Sequence, residues 1–394
     1  MAESVTTFGK EVRRLMADRR LGLRELARQV NYDPGYLSKV VNGRKAVSGA
    51  LARRLDAALD AGGVLAAFAA ARGLNGSFTS DDEQRLILAA RNPRRLDRGI
   101  VGSLTAVLAA ERRLEDQLGS APILKTVVAQ LAVVGDLAAE ARAPLRSEVL
   151  DIAGQYAQFA GWLNANAGRV SEAGGWYDRA LGWAAESGDA NMTATALNMK
   201  GHLAWLAGMA GPMIGLSQAA QDGTAISAGV RALAAQQEAR GHALAGDGAD
   251  ADRKLDEAAS LIGHAAAYPE DEPPWIYFYS PDYLELQRGL AYLYLGRFTQ
   301  AVESLCAGLA EMPTEVRQSD WIAWYLVRLA AAYAHAGDPE RACSVAAQAA
   351  HIASQTGSSR LRAQLSRLQA QLAVRWPGLP ALGELLDLRP DGGA

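Results

Sequence analysis

The 394-residue sequence predicts an all-α protein in two parts, a compact five-helix N-terminal domain followed by an α-solenoid. Three observations carry this. Apolar residues recur at three- and four-residue spacings along the first 70 positions, in segments short enough for small packed helices. Residues 1 to 73 hold 13 Lys/Arg against 7 Asp/Glu, whereas the rest hold 27 against 36, so the two ends are built for different partners. From Gly161 onward a pattern of small residues returns about every 40 positions, the mark of stacked helix pairs.

At the front, Phe8, Val12 and Leu15 fall on one face of a first helix whose other face carries Lys10, Arg13 and Arg14. Leu23, Leu26, Ala27 and Val30 predict a second, and Asn31-Tyr32 breaks the pattern. Asp33 then reads as an N-cap and Pro34 as the first helical position, where its missing N–H costs no hydrogen bond. The third helix turns Leu37, Val40 and Val41 inward and stops at Gly43, a residue suited to left-handed backbone. Ser48 is expected to cap a fourth helix with Leu51, Leu55 and Leu59 inside. Val64 to Phe68 begin a fifth.

These residues resemble the helix-turn-helix domain of the Xre/Cro-like repressor family. The likeness rests on Leu26-Ala27, the short turn, Tyr36-Leu37-Ser38-Lys39 and Asn42-Gly43-Arg44, and covers about residues 6 to 72. It implies that the third helix lies in the major groove of double-stranded DNA. Asp33, Pro34, Gly35, Ser38 and Lys39 would then face bases, with Tyr36, Asn42, Arg44 and Lys45 beside phosphates. Lys39 is the best single candidate for guanine, whose O6 and N7 accept from a cation. Leu23 stands where the family usually has a phosphate-binding Gln, which hands that contact to Arg24. Met16 and Val41 replace an Arg–Glu pair found in many members, and packed apolar side chains substitute for an ion pair at little or no cost. Pro34-Gly35 leaves few side chains at the base-reading tip, so phosphate contacts and DNA shape are expected to carry more of the specificity.

Gly73 to Ser77 is polar and turn-forming and is expected to end this domain. The organisation predicted is residues 1–73, a linker over 74–98 with a short helix from Ser80-Asp81 to Arg91, and a repeat domain over 99–394. Two long helices, about Ile100 to Leu118 and Pro122 to Ala141, open the latter. Beyond them, Gly289, Tyr292, Gly296, Ala301, Leu305 and Pro313 stand where the tetratricopeptide motif places its small, aromatic and proline residues. Further copies are Gly161, Gly168, Ala173, Tyr177, Ala180; Gly201, Gly208, Ala220; Gly241, Gly248, Leu255, Ala258; and Ala330, Tyr333, Gly337, Ala342, Ala349. Small residues are needed there because two antiparallel helices approach closely. The region resembles a tetratricopeptide-like superhelix over 100–375, with Leu361 to Leu388 as a terminal cap. The interval from Gly241 to Gly289 is 48 residues, about eight too many, and the excess is placed in YPEDEPPWIYFYSPD, Tyr268 to Asp282. That stretch reads either as a rim over a ligand site or as a crossover loop.

The first helix of each repeat lines the inner surface of such a superhelix. Gln158 and Asn198 stand three before the small residue, with Gln236 near that place in the next copy. Their amides offer donor and acceptor together, which suits clamping a peptide backbone. Trp162, Asn166, His202, Trp205 and Arg240 fall on the same surface and supply an apolar wall and an anion partner. The competing reading makes the amides solvated and the tryptophans inter-repeat core.

The two-part layout looks like peptide-sensing quorum regulators and related large regulators of high-GC bacteria. The resemblance implies a homodimer in which a peptide or small-molecule effector on the repeats shifts two DNA-reading heads. The expectation is a sequence-specific, cytoplasmic transcriptional regulator with no cofactor; the alternative is a tetratricopeptide interaction scaffold with a vestigial helix-turn-helix domain. An enzyme is not expected. The histidines at 202, 242, 264, 335 and 351 lack zinc spacing, and neither a phosphate loop nor a nucleophile elbow appears. GDGADAD at Gly246 to Asp252 has its acids out of register for a calcium loop. Cys306 and Cys343 are expected to be buried apolar fillers. No hydrophobic run is read as long enough to span a membrane, and MAESVTTFGK lacks a signal-peptide layout, so a soluble intracellular protein without membrane contact is expected.

Overall fold

The structure, a computed structural model, describes residues 8–19, 21–30, 32–42, 47, 49–59, 61, 65, 98–313, 316–356 and 358–387. Among them are 18 α-helices, two 3-10 turns and no strand, the all-α class expected. The chain divides into two compact units, Met1–Arg85 and Leu86–Ala394. The expected domain end at Gly73, the linker helix to Arg91, the caps Gly43 and Ser48, and Arg44 and Lys45 lie outside the described residues. So does all of the expected fifth helix except Leu65.

In the first unit, α1 (Phe8–Asp18), α2 (Leu23–Gln29), α3 (Pro34–Val41) and α4 (Gly49–Ala58) enclose one core. Val12, Leu15, Leu26, Ala27, Val30, Leu37, Val40, Val41, Leu51, Leu55 and Leu59 are buried in it, and Met16 packs at its edge. Val41 and Met16 thus share apolar surroundings, as expected of two residues standing in place of an ion pair. The helices α1 and α3 approach backbone to backbone at Gly9, where an added Cβ would lie 2.0 Å from the Val41 carbonyl oxygen. A glycine that weakens the helix locally is therefore what lets α3 seat against it.

The second unit stacks antiparallel pairs: α5 (Arg98–Leu118) with α6 (Ser120–Glu140), α7 (Arg146–Asn166) with α8 (Val170–Ser187), and α9 (Ala190–Leu206) with α10 (Ala210–Ala219). There follow α11 (Ala228–Ala245) with α12 (Gly248–Ala267), α13 (Pro281–Tyr294) with α14 (Phe298–Glu311), α15 (Asp320–Ala336) with α16 (Pro339–Thr356), and α17 (Ser359–Arg375) with α18 (Pro380–Asp387). The first helix of each pair touches the first helix of the next, making one continuous wall from α5 to α17 backed by the second helices. The repeat residues are where close packing requires them. Ala173, Tyr177, Ala180, Ala220, Leu255, Ala258, Ala301, Leu305, Ala342 and Ala349 are fully buried. A Cβ on Gly161 would lie 2.3 Å from the Tyr177 ring, and one on Gly289 2.5 Å from Leu305.

Several expectations are corrected. In the third copy the turn is closed by Gly246, with left-handed backbone like Gly168, Gly208, Gly296 and Gly337, whereas Gly248 is the first residue of α12. The helix α11 simply stops sooner after Gly241 than its counterparts do. Gly241 also packs on Ile214 of the preceding α10, not on its own partner helix. The helix α6 begins at Ser120, two residues before Pro122, since proline is tolerated in a first turn. With 21 residues and a mean hydropathy of 1.5 over its most apolar 18, it is, by length and composition, long and apolar enough to cross a membrane, contrary to the reading of the sequence. Its Ile123, Leu124, Val127, Leu131, Val134 and Leu137 pack into the unit's core, and alanines on the opposite face raise the hydropathy further. Cys343 is buried as expected, but Cys306 is only partly so, with Sγ 3.5 Å from the Tyr333 hydroxyl.

Candidate functional site

On the first unit the helix start is fixed by chemistry local to the turn. Asp33 caps α3, its carboxylate accepting from the Tyr36 backbone N–H at 2.7 Å, with Pro34 at the first helical position. The other end is held from α1: Arg13 donates to the Val41 carbonyl at 2.9 Å and to Asn42 Oδ1 at 3.2 Å. Asn42 Nδ2 in turn donates to Ser38 Oγ at 3.3 Å. Sequence reasoning placed Arg13 only on a basic face and missed that it anchors α3. Its spacing of 28 residues from Val41 carries no local signal. Tyr36 lies against Tyr32, ring centroids 5.7 Å apart, and Arg54 sits over Tyr32 at 5.8 Å. Arg24, Asp33, Pro34, Gly35 and Lys39 are exposed and Ser38 and Tyr36 half-buried, so α3 presents a surface of mixed polarity with Lys39 as its described cation.

The inner wall of the second unit gathers most of the other candidates. His202 lies between Trp162 and Trp205, with ring centroids at 5.7 and 5.0 Å. Trp205 meets Trp324 edge-on at 6.1 Å and donates to the Tyr294 hydroxyl at 2.9 Å. The Arg240 guanidinium stacks 4.3 Å over Trp205 and donates to Gln287 Oε1 at 3.1 Å, to His202 Nδ1 at 3.4 Å and to Gln237 Oε1. Arg328 repeats the motif, 4.5 Å over Trp324, with one weak contact to Gln364 at 3.5 Å. At the near end, Trp162 donates to Glu115 at 3.3 Å and Asn166 to Ser120 at 3.0 Å.

The three amides are buried. Gln236 donates to Gln287 at 3.1 Å, and Gln287 to the Tyr325 hydroxyl. Asn198 accepts through its backbone from Gln237 at 3.3 Å, while its Oδ1 has no protein partner among the described residues. Gln158 is 8% exposed. Gln287, Tyr294, Trp324 and Arg328 were not singled out from the sequence. Gln287 and Arg328 each stand two before the small residue of their copies, Gly289 and Ala330, whereas Gln158 and Asn198 stand three before theirs, so extending that register reaches Leu286 and Val327 and misses them.

Electrostatics set the character of this wall. Burial, then the charges of Arg240 and Arg360, push the His202 pKa down to about 3, so the ring is neutral and accepts from Arg240. Burial also lowers the pKa values of Arg240 and Arg328, and the charge of Arg360 lowers Arg328 further. Neither Arg240 nor Arg328 has an ion-pair partner among the described residues. No group of three metal-ligating side chains occurs among the described residues either.

The residues from Tyr268 to Asp282 lie across this wall. Glu272 accepts from the Gly229 N–H at 2.8 Å and the Ser227 hydroxyl at 2.7 Å at the start of α11. Trp275, 6% exposed, donates to Thr195 on α9 at 3.0 Å. Tyr277 reaches Asp116 on α5 at 2.7 Å, and Tyr279 donates to the Ala232 carbonyl at 3.2 Å. The insertion is thus neither an open rim nor a bare crossover but a packed segment spanning α5 to α11.

Residues 7–69 match the family described as a helix-turn-helix domain. The first unit carries that domain. No curated protein matches the chain. Among solved structures, the crystal structure of BtubC (BKLC) from P. vanneervenii is similar at 15% identity and a TM-score of 0.41, covering 60% of this chain and 91% of that one.

Proposed function

We propose that the protein is a DNA-binding transcriptional regulator of the Xre/Cro-like type, with α3 as its recognition helix and the second unit as a tetratricopeptide-like sensor of an effector or partner. The observation that carries the reading is a capped α3 inside a helix-turn-helix domain, anchored at both ends and exposed along the face bearing Lys39. Two such heads in a homodimer would dock in successive major grooves of a roughly palindromic operator. No step of this calls for a cofactor or a catalytic group, and the protein acts in the cytoplasm.

The test is a shift of promoter fragments by the purified full chain. Lys39→Ala is expected to weaken specific binding by about 1–3 kcal/mol and relax discrimination at one base pair, as for loss of a base-edge contact. If Lys39→Ala and Arg24→Ala together leave the shift intact, α3 is not the recognition helix.

A further inference from the structure

We propose that the inner wall binds a small organic anion, its carboxylate held by Arg240 and Arg328 and its flat apolar body lying against Trp205 and Trp324. This rests on the sensing reading above and names the ligand class of that site. The argument begins with charge. The residues after Gly73 carry nine more acids than bases, yet two arginines on the wall lack a carboxylate partner among the described residues. Some cations elsewhere in the same unit are paired, Arg297 with Asp252 at 2.8 Å and Lys254 with Glu238 at 3.0 Å, while the buried Arg112 donates, among the described residues, only to Gln155. Burying a guanidinium without a counter-charge is unfavourable, and structures keep such groups where a ligand supplies the charge.

Geometry agrees. Each guanidinium lies over a tryptophan ring, and the two tryptophans touch, so both cations belong to one surface. The Nε atoms of Arg240 and Arg328 are buried and have no hydrogen-bond partner among the described residues. On Arg328, whose Nη2 has one weak contact, Nε with a terminal nitrogen can form the fork that grips a carboxylate. The terminal nitrogens of Arg240 already donate to Gln287, His202 and Gln237 and leave its Nε to add a contact. His202, neutral beside them, adds no competing cation. Size follows from the insertion: Trp275 and Tyr277 bridge from α13's approach to α9 and α5, occupying length along the wall that an extended peptide would need.

The experiment titrates the full chain with 1-naphthoate and with uncharged 1-naphthamide, following tryptophan fluorescence and thermal unfolding. The acid is expected to give a saturable fluorescence change and a raised Tm, and the amide to bind at least about tenfold more weakly, since a charge-assisted fork is roughly twice as strong as neutral hydrogen bonds. Arg240→Met and Arg328→Met should each abolish the preference for the acid. Arg328 is the less buried of the two, so its variant keeps the test alive if Arg240→Met fails to fold. Equal binding of acid and amide, no saturable binding, or an unchanged preference in the folded variants overturns the proposal. So does tighter binding of an extended free-acid heptapeptide than of 1-naphthoate. A promoter shift measured on the same preparation separates the two claims: DNA bound without the acid sinks only the site, and acid bound selectively without DNA sinks only the regulator.

Discussion

Glu111 lies on α5 at 8% exposure with Oε2 unpaired, and burial lifts its carboxyl pKa to about 7 against a hydrogen bond with Gln130 that pulls it down. Below pH 4.5 the carboxyl is protonated in both folded and unfolded chains. Between there and about 7 the unfolded chain releases its proton while the folded one retains it, so stability is lost across that window as pH rises. Glu111→Gln removes this loss. We expect its advantage in stability over the parent to grow between pH 4.5 and 8 to roughly 3 kcal/mol, read by urea unfolding at the two pH values. A pH-independent difference would show that Glu111 ionises normally. At this scale the sequence was legible where a residue acts through its own neighbours, as Asp33 does at Tyr36, and not where it acts across the fold, as Arg13 does at Val41.

Among the elements, the insertion at Tyr268 to Asp282 shows where period counting stops. Its presence and composition follow from a 48-residue interval, but its destinations, Thr195 and Asp116, are set by how far the stacked pairs curve. Trp275 packs with Ala184 and Met192 and its ring N–H donates to the Thr195 hydroxyl, which keeps its own bond to the Asn191 carbonyl, so Trp275→Ala leaves chiefly a cavity. The expected cost is about 3–5 kcal/mol in chemical denaturation. Tyr277→Phe, which removes only a half-exposed hydroxyl contact with Asp116, should cost about 1 kcal/mol or less. Comparable losses from the two would mean the segment is held by Asp116 and not by its buried tryptophan.

Over the whole molecule, charge is divided unevenly, with a balance of +6 in residues 1 to 73 and −9 after them. A polyanion should therefore engage the first unit through displaced counterions. Log affinity for promoter DNA is expected to fall linearly with log salt, by about 0.9 per phosphate contact, and Arg24→Ala to flatten that slope by about 1. An affinity indifferent to salt between about 50 and 200 mM would remove the electrostatic footing of the DNA-binding reading.

What the sequence determined by itself is what local chemistry and period determine: the helical class, the capped start of α3, and the small residues that let paired helices meet, as Gly161 does under Tyr177. What only the tertiary structure decided is convergence. Trp162, His202, Trp205, Arg240, Trp324 and Arg328 come from four helices spread over 167 positions, and apart from the one-turn pairs His202–Trp205 and Trp324–Arg328 nothing in their spacing makes them neighbours. They meet because successive first helices stack into one wall, and the curvature of that wall is a sum of many packing contacts that no single stretch of sequence contains.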